Sequence, residues 1–184
     1  PLWSPDQRFL LTYNGELYND AELRVVLRNL GVEFRTNCDT ETVLHAFAMW
    51  GVDALKKFRG MYAIAVYDFQ MNILTLARDP LGIKPLYFAR IGDEMVFSSH
   101  IPSILDHPES SPLPNLNVIS SYLSTIRVTL GNETMFSNVY TLRPGQLLQI
   151  QVTDNDFGLT LATHWPDYTS YDDPLSDAAD GDFV

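Results

Sequence analysis

The sequence predicts a layered α+β domain, with helices packed outside antiparallel β-structure. Two amphipathic helical segments precede residue 51. Residues 61–67 (M-Y-A-I-A-V-Y) are apolar at both alternating positions, which predicts a strand covered on both faces. Apolar runs at 73–78, 86–90 and 95–99 follow, separated by short polar turns. This spacing is typical of an antiparallel meander.

The first element is a strand over residues 8–13 (R-F-L-L-T-Y). Asn14-Gly15 follows it, and this dipeptide predicts a sharp turn. Asn19 then suits the N-cap of a helix, with Glu22 completing a capping box. Gly31 predicts the end of that helix. The residues expected on its inner face are Leu23, Val26, Leu27 and Leu30.

A second helix is expected to begin after Asp39 as its N-cap and to end at Gly51. Its inward side chains are predicted to be Val43, Leu44 and Phe47. Residues 52–58 suggest a third, short helical turn.

The second half of the chain predicts helical pieces near 101–106 and 116–125. A closing pair of strands is expected at 135–141 and 146–152, joined at Pro144-Gly145. The pattern fades beyond about residue 153. The predicted organisation is therefore one domain over 1–153 and an acidic linker over 154–184.

The net charge of −11 is concentrated at one end of the chain. Residues 154–184 contain eight aspartates and no Lys, Arg or Glu, whereas the remainder has 15 acidic and 12 basic residues. An acidic chain without a basic stripe is a poor candidate for nucleic-acid binding. The aspartate spacing matches no calcium loop. The histidines also lack metal-ligand spacing, so we predict no metal site.

Cys38 is the sole cysteine, which excludes an intramolecular disulfide and favours a reducing cytoplasm. No run approaches the roughly 18 apolar residues of a membrane helix, so no membrane role is predicted. Cys38 itself is expected to be a small buried residue ahead of the second helix.

Two polar motifs interrupt the apolar pattern, Y-N-G-E at 13–16 and T-N-C-D-T-E at 36–41. A turn would explain the first motif structurally, and a helix cap would explain the second. An Asn amide beside a glycine N–H also offers two donors for a developing oxyanion. A carboxylate such as Glu16 or Asp39 can bind an ammonium group.

These motifs, followed by R-G-M-Y-A-I-A-V-Y-D and A-R-D-P-L-G-I-K-P-L-Y, resemble consecutive signatures of the glutaminase domain of asparagine synthase. The resemblance covers about residues 8–165. That family belongs to the class II glutamine amidotransferases, which are N-terminal-nucleophile hydrolases with a four-layer αββα sandwich. It implies that an N-terminal cysteine thiolate attacks the side-chain amide of glutamine, with its own α-amino group as the base.

The resemblance assigns the oxyanion hole to the Asn14 side chain and the Gly15 backbone. It assigns Glu16 and Asp39 to the α-amino end of the glutamine substrate. For the turn containing Arg78, Asp79, Gly82 and Lys84 it names no chemical step, and a packed loop with an Arg–Asp pair is the expected structure. His100 stands where the family usually has an acidic residue.

Several family features are not found in residues 1–184, namely the N-terminal cysteine, the R-G-P-D segment and the arginine that clamps the substrate carboxylate. The sandwich is therefore expected to be incomplete at its N-terminus, and the fragment to be inactive alone. No cofactor is expected here, because the resemblance places ATP and Mg in a separate synthetase domain. That domain and a homodimer partner are the expected protein partners.

Two alternatives stay open. One is the glutaminase domain of another glutamine-dependent synthase, such as a phosphoribosyl- or hexosamine-forming enzyme. The I-K-P-L-Y ending favours the asparagine type over the first of these. The other is a non-catalytic interaction module with the same sandwich, against which the presence of Asn14, Gly15, Glu16 and Asp39 argues.

Overall fold

The structure, a computed structural model, describes residues 1–153 and 157–163. Its strands form two antiparallel sheets. In chain order they are β1 (Leu2–Trp3), β2 (Phe9–Leu17), β3 (Gly60–Asp68), β4 (Ile73–Arg78), β5 (Tyr87–Ile91), β6 (Glu94–Ser98), β7 (Thr129–Leu130), β8 (Glu133–Thr134), β9 (Tyr140–Thr141), β10 (Gln146–Val152) and β11 (Phe157–Thr163). The first sheet has the order β1-β2-β3-β4-β10-β11, and the second has the order β6-β5-β9-β8-β7.

Four α-helices accompany the sheets: α1 (Asp20–Asn29), α2 (Asp39–Trp50), α3 (Ile101–Leu105) and α4 (Leu116–Thr125). A 3₁₀ helix, Gly51–Lys57, follows α2 directly. The prediction of a short helical turn here is confirmed. Gly31 and Gly51 have φ angles of +89° and +56°, so both helix ends use the left-handed freedom of glycine.

Three apolar clusters define four layers. The first joins α1 and α2 to the first sheet, for example Leu27 and Leu44 with Ile64. The second lies between the sheets and includes Ala65 of β3 and partly buried Phe88 of β5. The third packs α3 on the outer face of the second sheet. The layer order is helix, sheet, sheet, helix, which confirms the predicted αββα sandwich and the burial of β3 on both faces.

The predicted turn at Asn14-Gly15 is wrong. Strand β2 continues through both residues to Leu17, paired with β3 along its whole length. Asn14 lies opposite Ala63, and Gly15 lies opposite Tyr62. The turn preference of Asn-Gly is local, and nine residues of pairing override it.

The capping box predicted at the start of α1 is also wrong. Asn19 occupies the N-cap position but makes no capping bond with its side chain. That side chain instead bonds Lys57 O and the Arg59 N–H, each at 2.9 Å. Glu22 pairs with Arg59. Lys57 and Arg59, which are distant in sequence, therefore bind the Asn19 and Glu22 side chains that a local capping box would use.

The inner face of α1 differs partly from the prediction. Leu23 and Leu27 are buried, but Val26 and Leu30 are exposed, and Arg24 is buried instead. In α2 the predicted inward residues Val43, Leu44 and Phe47 are all buried.

The closing strand pair is a further correction. Only Tyr140–Thr141 of the range 135–141 forms a strand, and it belongs to the second sheet. Strand β10 pairs instead with β4 and with β11. The first sheet thus includes residues 157–163, where a linker was expected, and residues 154–156 and 164–184 of that predicted linker lie outside the described residues. In the part of the chain that is described, no helix has the length and apolar character needed to cross a membrane.

Candidate functional site

The main chain of β2 has an open edge beyond Leu11. Arg8 O accepts from the Phe69 N–H, and the Tyr18 N–H donates to Arg59 O, so the even-numbered residues of β2 bond β3. The odd-numbered residues direct their N–H groups the other way. In the part of the chain that the structure describes, strand β1 pairs only with Leu10 and Leu11. The backbone N–H of Gly15 therefore points toward an edge that β1 does not cover.

Asp39 occupies this same edge. Its Oδ2 accepts a hydrogen bond from the Leu17 N–H at 2.9 Å and from the Tyr13 hydroxyl at 3.0 Å. Asp39 is the first residue of α2, and the N-cap position belongs to Cys38, so the predicted cap role is wrong. Leu17 and Gly15 are two residues apart, which separates the Asp39 anchor from the Gly15 N–H by about 7 Å along the strand.

Asn14 and Glu16 lie on the other face of β2, away from the helix layer, and both are exposed. The Asn14 amide Nδ2 donates to Ser99 Oγ at 3.0 Å, which links β2 to the residue just after β6. The side chain of Glu16 makes no hydrogen bond or ion pair within the described residues. The four predicted site residues thus lie close to one stretch of β2. Gly15 and Asp39 are on the side of the helix layer, and Asn14 and Glu16 are on the other face.

Gly15 has a steric requirement at this position. A Cβ atom there would lie 2.3 Å from Met61 O and 2.8 Å from the Tyr13 ring. Any larger residue would have to displace β3 backbone, so glycine is needed for the local strand geometry.

The loop that carries Cys38 and Asp39 is held by a buried cation. Arg24 is 5% exposed and donates to Thr36 O at 2.9 Å and to Cys38 O at 2.6 Å. It also pairs with Asp20 and lies 4.4 Å from the centroid of the Phe34 ring. Sequence reasoning missed Arg24, because an Asp–Arg pair four residues apart resembles an ordinary surface pair.

A buried anion holds the same loop from the other side. Glu41 accepts from the N–H groups of Arg35 and Thr36, both at 2.7 Å. Burial alone raises the pKa of the Glu41 carboxyl, but these hydrogen bonds outweigh it and the pKa is lowered from its ordinary value. The T-x-C-D-T-E motif therefore contains a loop anchor, Glu41, as well as the candidate ligand Asp39.

A cavity of about 310 Å³ adjoins the open edge. Leu2, Tyr13, Cys38 and Thr40 are among its lining residues. Cys38 is exposed, so its predicted burial is wrong. Its Sγ lies 3.2 Å from Thr40 Oγ1 and 3.7 Å from Asp39 Oδ1.

The turn at residues 78–84 is a loop held by side-chain hydrogen bonds that go largely to main-chain groups. The fully buried Asp79 carboxylate accepts from the N–H groups of Leu81, Ile83 and Lys84 at 2.9–3.1 Å. Arg78 donates to carbonyl oxygens of Lys84, Gly82 and Leu142. The packed loop is confirmed, with backbone groups as its principal hydrogen-bond partners.

Two histidines, His100 and His45, make local contacts within the described residues. His100 is the N-cap residue of α3, and its N–H donates to Ser98 Oγ at 3.0 Å. His45 lies 3.6 Å from Glu41 and packs edge-on against Phe34. Within residues 1–153 and 157–163 no group of three or more His, Cys, Asp or Glu side chains is arranged to hold a metal ion.

The four-layer sandwich places this protein in the N-terminal-nucleophile hydrolase fold of the amidotransferases. Its structure is similar to that of glutamine phosphoribosylpyrophosphate amidotransferase from Bacillus subtilis, with a TM-score of 0.61 and 21% identity over 90% of this chain and 31% of that one. A regulatory enzyme of purine biosynthesis is also similar, with a TM-score of 0.59 and 22% identity over 86% of this chain and 29% of that one.

Residues 1–164 match the glutamine amidotransferase domain family, to which the chain therefore belongs. It is 32% identical to glutamine-hydrolysing asparagine synthetase 3 of Bacillus subtilis, over 85% of this chain and 25% of that protein. Asparagine synthetase 2 of the same organism is also 32% identical, over 90% of this chain and 22% of its own length. The chain thus spans about a quarter of these curated relatives.

Proposed function

We propose that this chain binds L-glutamine along the open edge of β2 and stabilises the oxyanion formed when the side-chain amide is attacked. The arrangement of Gly15 and Asp39 on that edge carries the proposal. Four single bonds separate the amino nitrogen of glutamine from its amide carbon, which spans about 5 Å when extended. The Gly15 N–H points sideways from the strand, so its hydrogen bond adds little length along β2. The ligand's span plus one hydrogen bond of about 2.9 Å to Asp39 gives about 8 Å, which is close to the roughly 7 Å between the Asp39 anchor and the Gly15 N–H.

In this scheme the Gly15 N–H and the second hydrogen of the Asn14 amide donate to the oxyanion. Removing one such donor costs about 10²–10³ in rate in other acyl-transfer enzymes. Asp39 accepts hydrogen bonds from the substrate ammonium group, and Glu16 adds negative charge beside it. Hydrolysis releases ammonia and glutamate.

We further propose that the complete protein is a glutamine-hydrolysing asparagine synthase of the cytoplasm. The names of its curated relatives support this. Ammonia would then amidate aspartate in a synthetase domain, which would use ATP and Mg.

Binding is tested by titrating the polypeptide 1–184 with L-glutamine and following its backbone amide NMR resonances. We expect the Gly15 and Leu17 resonances to shift, and Asp39→Asn to weaken the binding. Asp93→Asn is a matched control, because Asp93 lies in an exposed turn between β5 and β6. Saturable binding that leaves Gly15 and Leu17 unchanged, or no binding, would contradict the proposed site.

The resemblance to N-terminal-nucleophile enzymes also predicts what this polypeptide cannot do alone. Cys38 is its sole cysteine, and the nitrogen of Cys38 is a peptide amide that cannot act as the amine base. We expect residues 1–184 to release no glutamate from glutamine above the uncatalysed rate. Turnover that Cys38→Ala abolished would show that the nucleophile had been wrongly assigned.

A further inference from the structure

The Tyr13 side chain lies along β2 toward Asp39. Tyr13 and Gly15 share the face of β2 that is directed to the helix layer, where Leu11 and Leu17 are buried. A Cβ on Gly15 would meet the Cε2 and Cζ atoms of the Tyr13 ring at 2.8 and 2.9 Å. Because Gly15 has no side chain, the Tyr13 ring can occupy the space in which a Cβ atom would lie.

This ring position brings the Tyr13 hydroxyl to the Asp39 carboxylate. Asp39 Oδ2 accepts from both the Tyr13 hydroxyl and the Leu17 N–H, whereas Oδ1 lies 3.7 Å from Cys38 Sγ. A thiol is a weak donor, so Oδ1 retains capacity for a stronger one. Two donors on Oδ2 fix the carboxylate and leave Oδ1 as the oxygen to be offered to a ligand.

Tyr13 is well suited to a fixed donor role. Its ring packs against the apolar cluster between the first sheet and the helices. Burial, and then the negative charge of Asp39, raises the pKa of the Tyr13 phenol well above its ordinary value. The hydroxyl therefore stays protonated and continues to donate throughout the working pH range.

We propose that Tyr13 is a positioning residue that aims Asp39 at the ammonium group of the ligand, and that it thereby selects α-amino acids over deaminated analogues. The proposal rests on the proposed glutamine site and adds a residue that lies outside the family signature roles of Asn14, Gly15, Glu16 and Asp39. Tyr13 itself need not touch the ligand.

The test compares two ligands on the polypeptide 1–184, L-glutamine and glutaramate, which is glutamine without its α-amino group. Tyr13→Phe removes only the hydroxyl. We expect it to raise the Kd for L-glutamine roughly ten-fold, since a hydrogen bond to a charged group is lost, and to leave the Kd for glutaramate unchanged. Tyr18→Phe is the matched control, because the Tyr18 side chain is exposed and two residues past Glu16. We expect Tyr18→Phe to leave the Kd values of both ligands unchanged.

Asp39→Asn separates this inference from the function on which it rests. If Asp39→Asn weakens L-glutamine binding while Tyr13→Phe does not, the positioning role is overturned and the glutamine site stands. If Tyr13→Phe raises the Kd of both ligands equally, the role of Tyr13 is purely structural and the inference is also overturned. If wild type fails to bind L-glutamine, or Asp39→Asn has no effect, the proposed site fails and the role of Tyr13 fails with it. In the Asp39→Asn background, Tyr13→Phe should add little, because the two residues act as one unit.

Discussion

Arg24 is a charged side chain almost without contact with water, and its bonds go to the loop that carries the candidate ligand. Such a residue contributes through its ion pair with Asp20 and through charge-assisted hydrogen bonds to the loop carbonyl oxygens. The binding edge of β2 thus depends on a residue that lies on a different element, α1.

We expect Arg24→Met to lower the free energy of unfolding by about 3 kcal/mol, because the substitution removes the cation that pairs with the Asp20 carboxylate and the Arg24 donor to Thr36 O. Arg28→Met is the control, since Arg28 is exposed and lies 5.3 Å from the same Phe34 ring. Arg28→Met should lower the free energy of unfolding much less than Arg24→Met does. Urea denaturation measures both, and equal effects would show that Arg24 is not a loop anchor.

The Glu41 carboxylate predicts a specific pH dependence. Its folded-state pKa lies below the ordinary value of 4.5, so the unfolded state takes up protons first as the pH falls. The stability from Glu41 is therefore complete above about pH 4.5 and is lost as the pH falls through the lower, folded-state pKa. Urea midpoints of wild type should decline over this acid range, and those of Glu41→Gln should decline less steeply. Glu33→Gln, at an exposed position, should keep the wild-type slope.

At the scale of elements, the turn after β4 is held by the Asp79 carboxylate together with Arg78. Asp79 bonds the amides of Leu81, Ile83 and Lys84, and its own carbonyl accepts from Gly82 and Gly145. The Gly145 bond connects the turn to the segment entering β10. The turn therefore supports the junction between two neighbouring strands of the first sheet.

We expect Asp79→Asn to lower the free energy of unfolding by roughly 2–3 kcal/mol, because an amide group places a donor where the carboxylate only accepts. Asp93→Asn, in an exposed turn, should be nearly neutral. Thermal unfolding of the two variants provides the comparison. A neutral Asp79→Asn would show that the turn is held by its backbone alone.

At the scale of the whole molecule, the second sheet carries an exposed apolar surface around α4. Its members are Leu113, Leu116, Leu123, Ile126, Val128 and Leu130. Ile126 also has a φ of +64°, an unfavourable conformation for a β-branched residue. Together with the open edge of β2, this surface predicts self-association of the polypeptide 1–184.

We expect the average mass of the polypeptide 1–184 in analytical ultracentrifugation to rise with concentration. Leu123→Lys should reduce that rise, because it places a charge on α4 at one of the most exposed apolar positions of this surface. Met49→Lys is the control, since Met49 is an exposed apolar residue on α2, away from α4. A monomer at all concentrations, or an equal effect of both substitutions, would contradict this role of the α4 surface.

Features that depend on local pattern could be predicted from the residues alone. The apolar runs of β3 and β4 predicted their bounds closely. Gly31 and Gly51 predicted two helix ends, since left-handed φ is a property of single residues. The consecutive motifs also indicated the family. Features that depend on partners distant in sequence became visible only in the tertiary structure. Asn14-Gly15 became strand because β3 pairs with it, and Asn19 turned to the 3₁₀ segment. The roles of Arg24 and Tyr13 arise from contacts across 12 to 26 residues, which local spacing cannot encode.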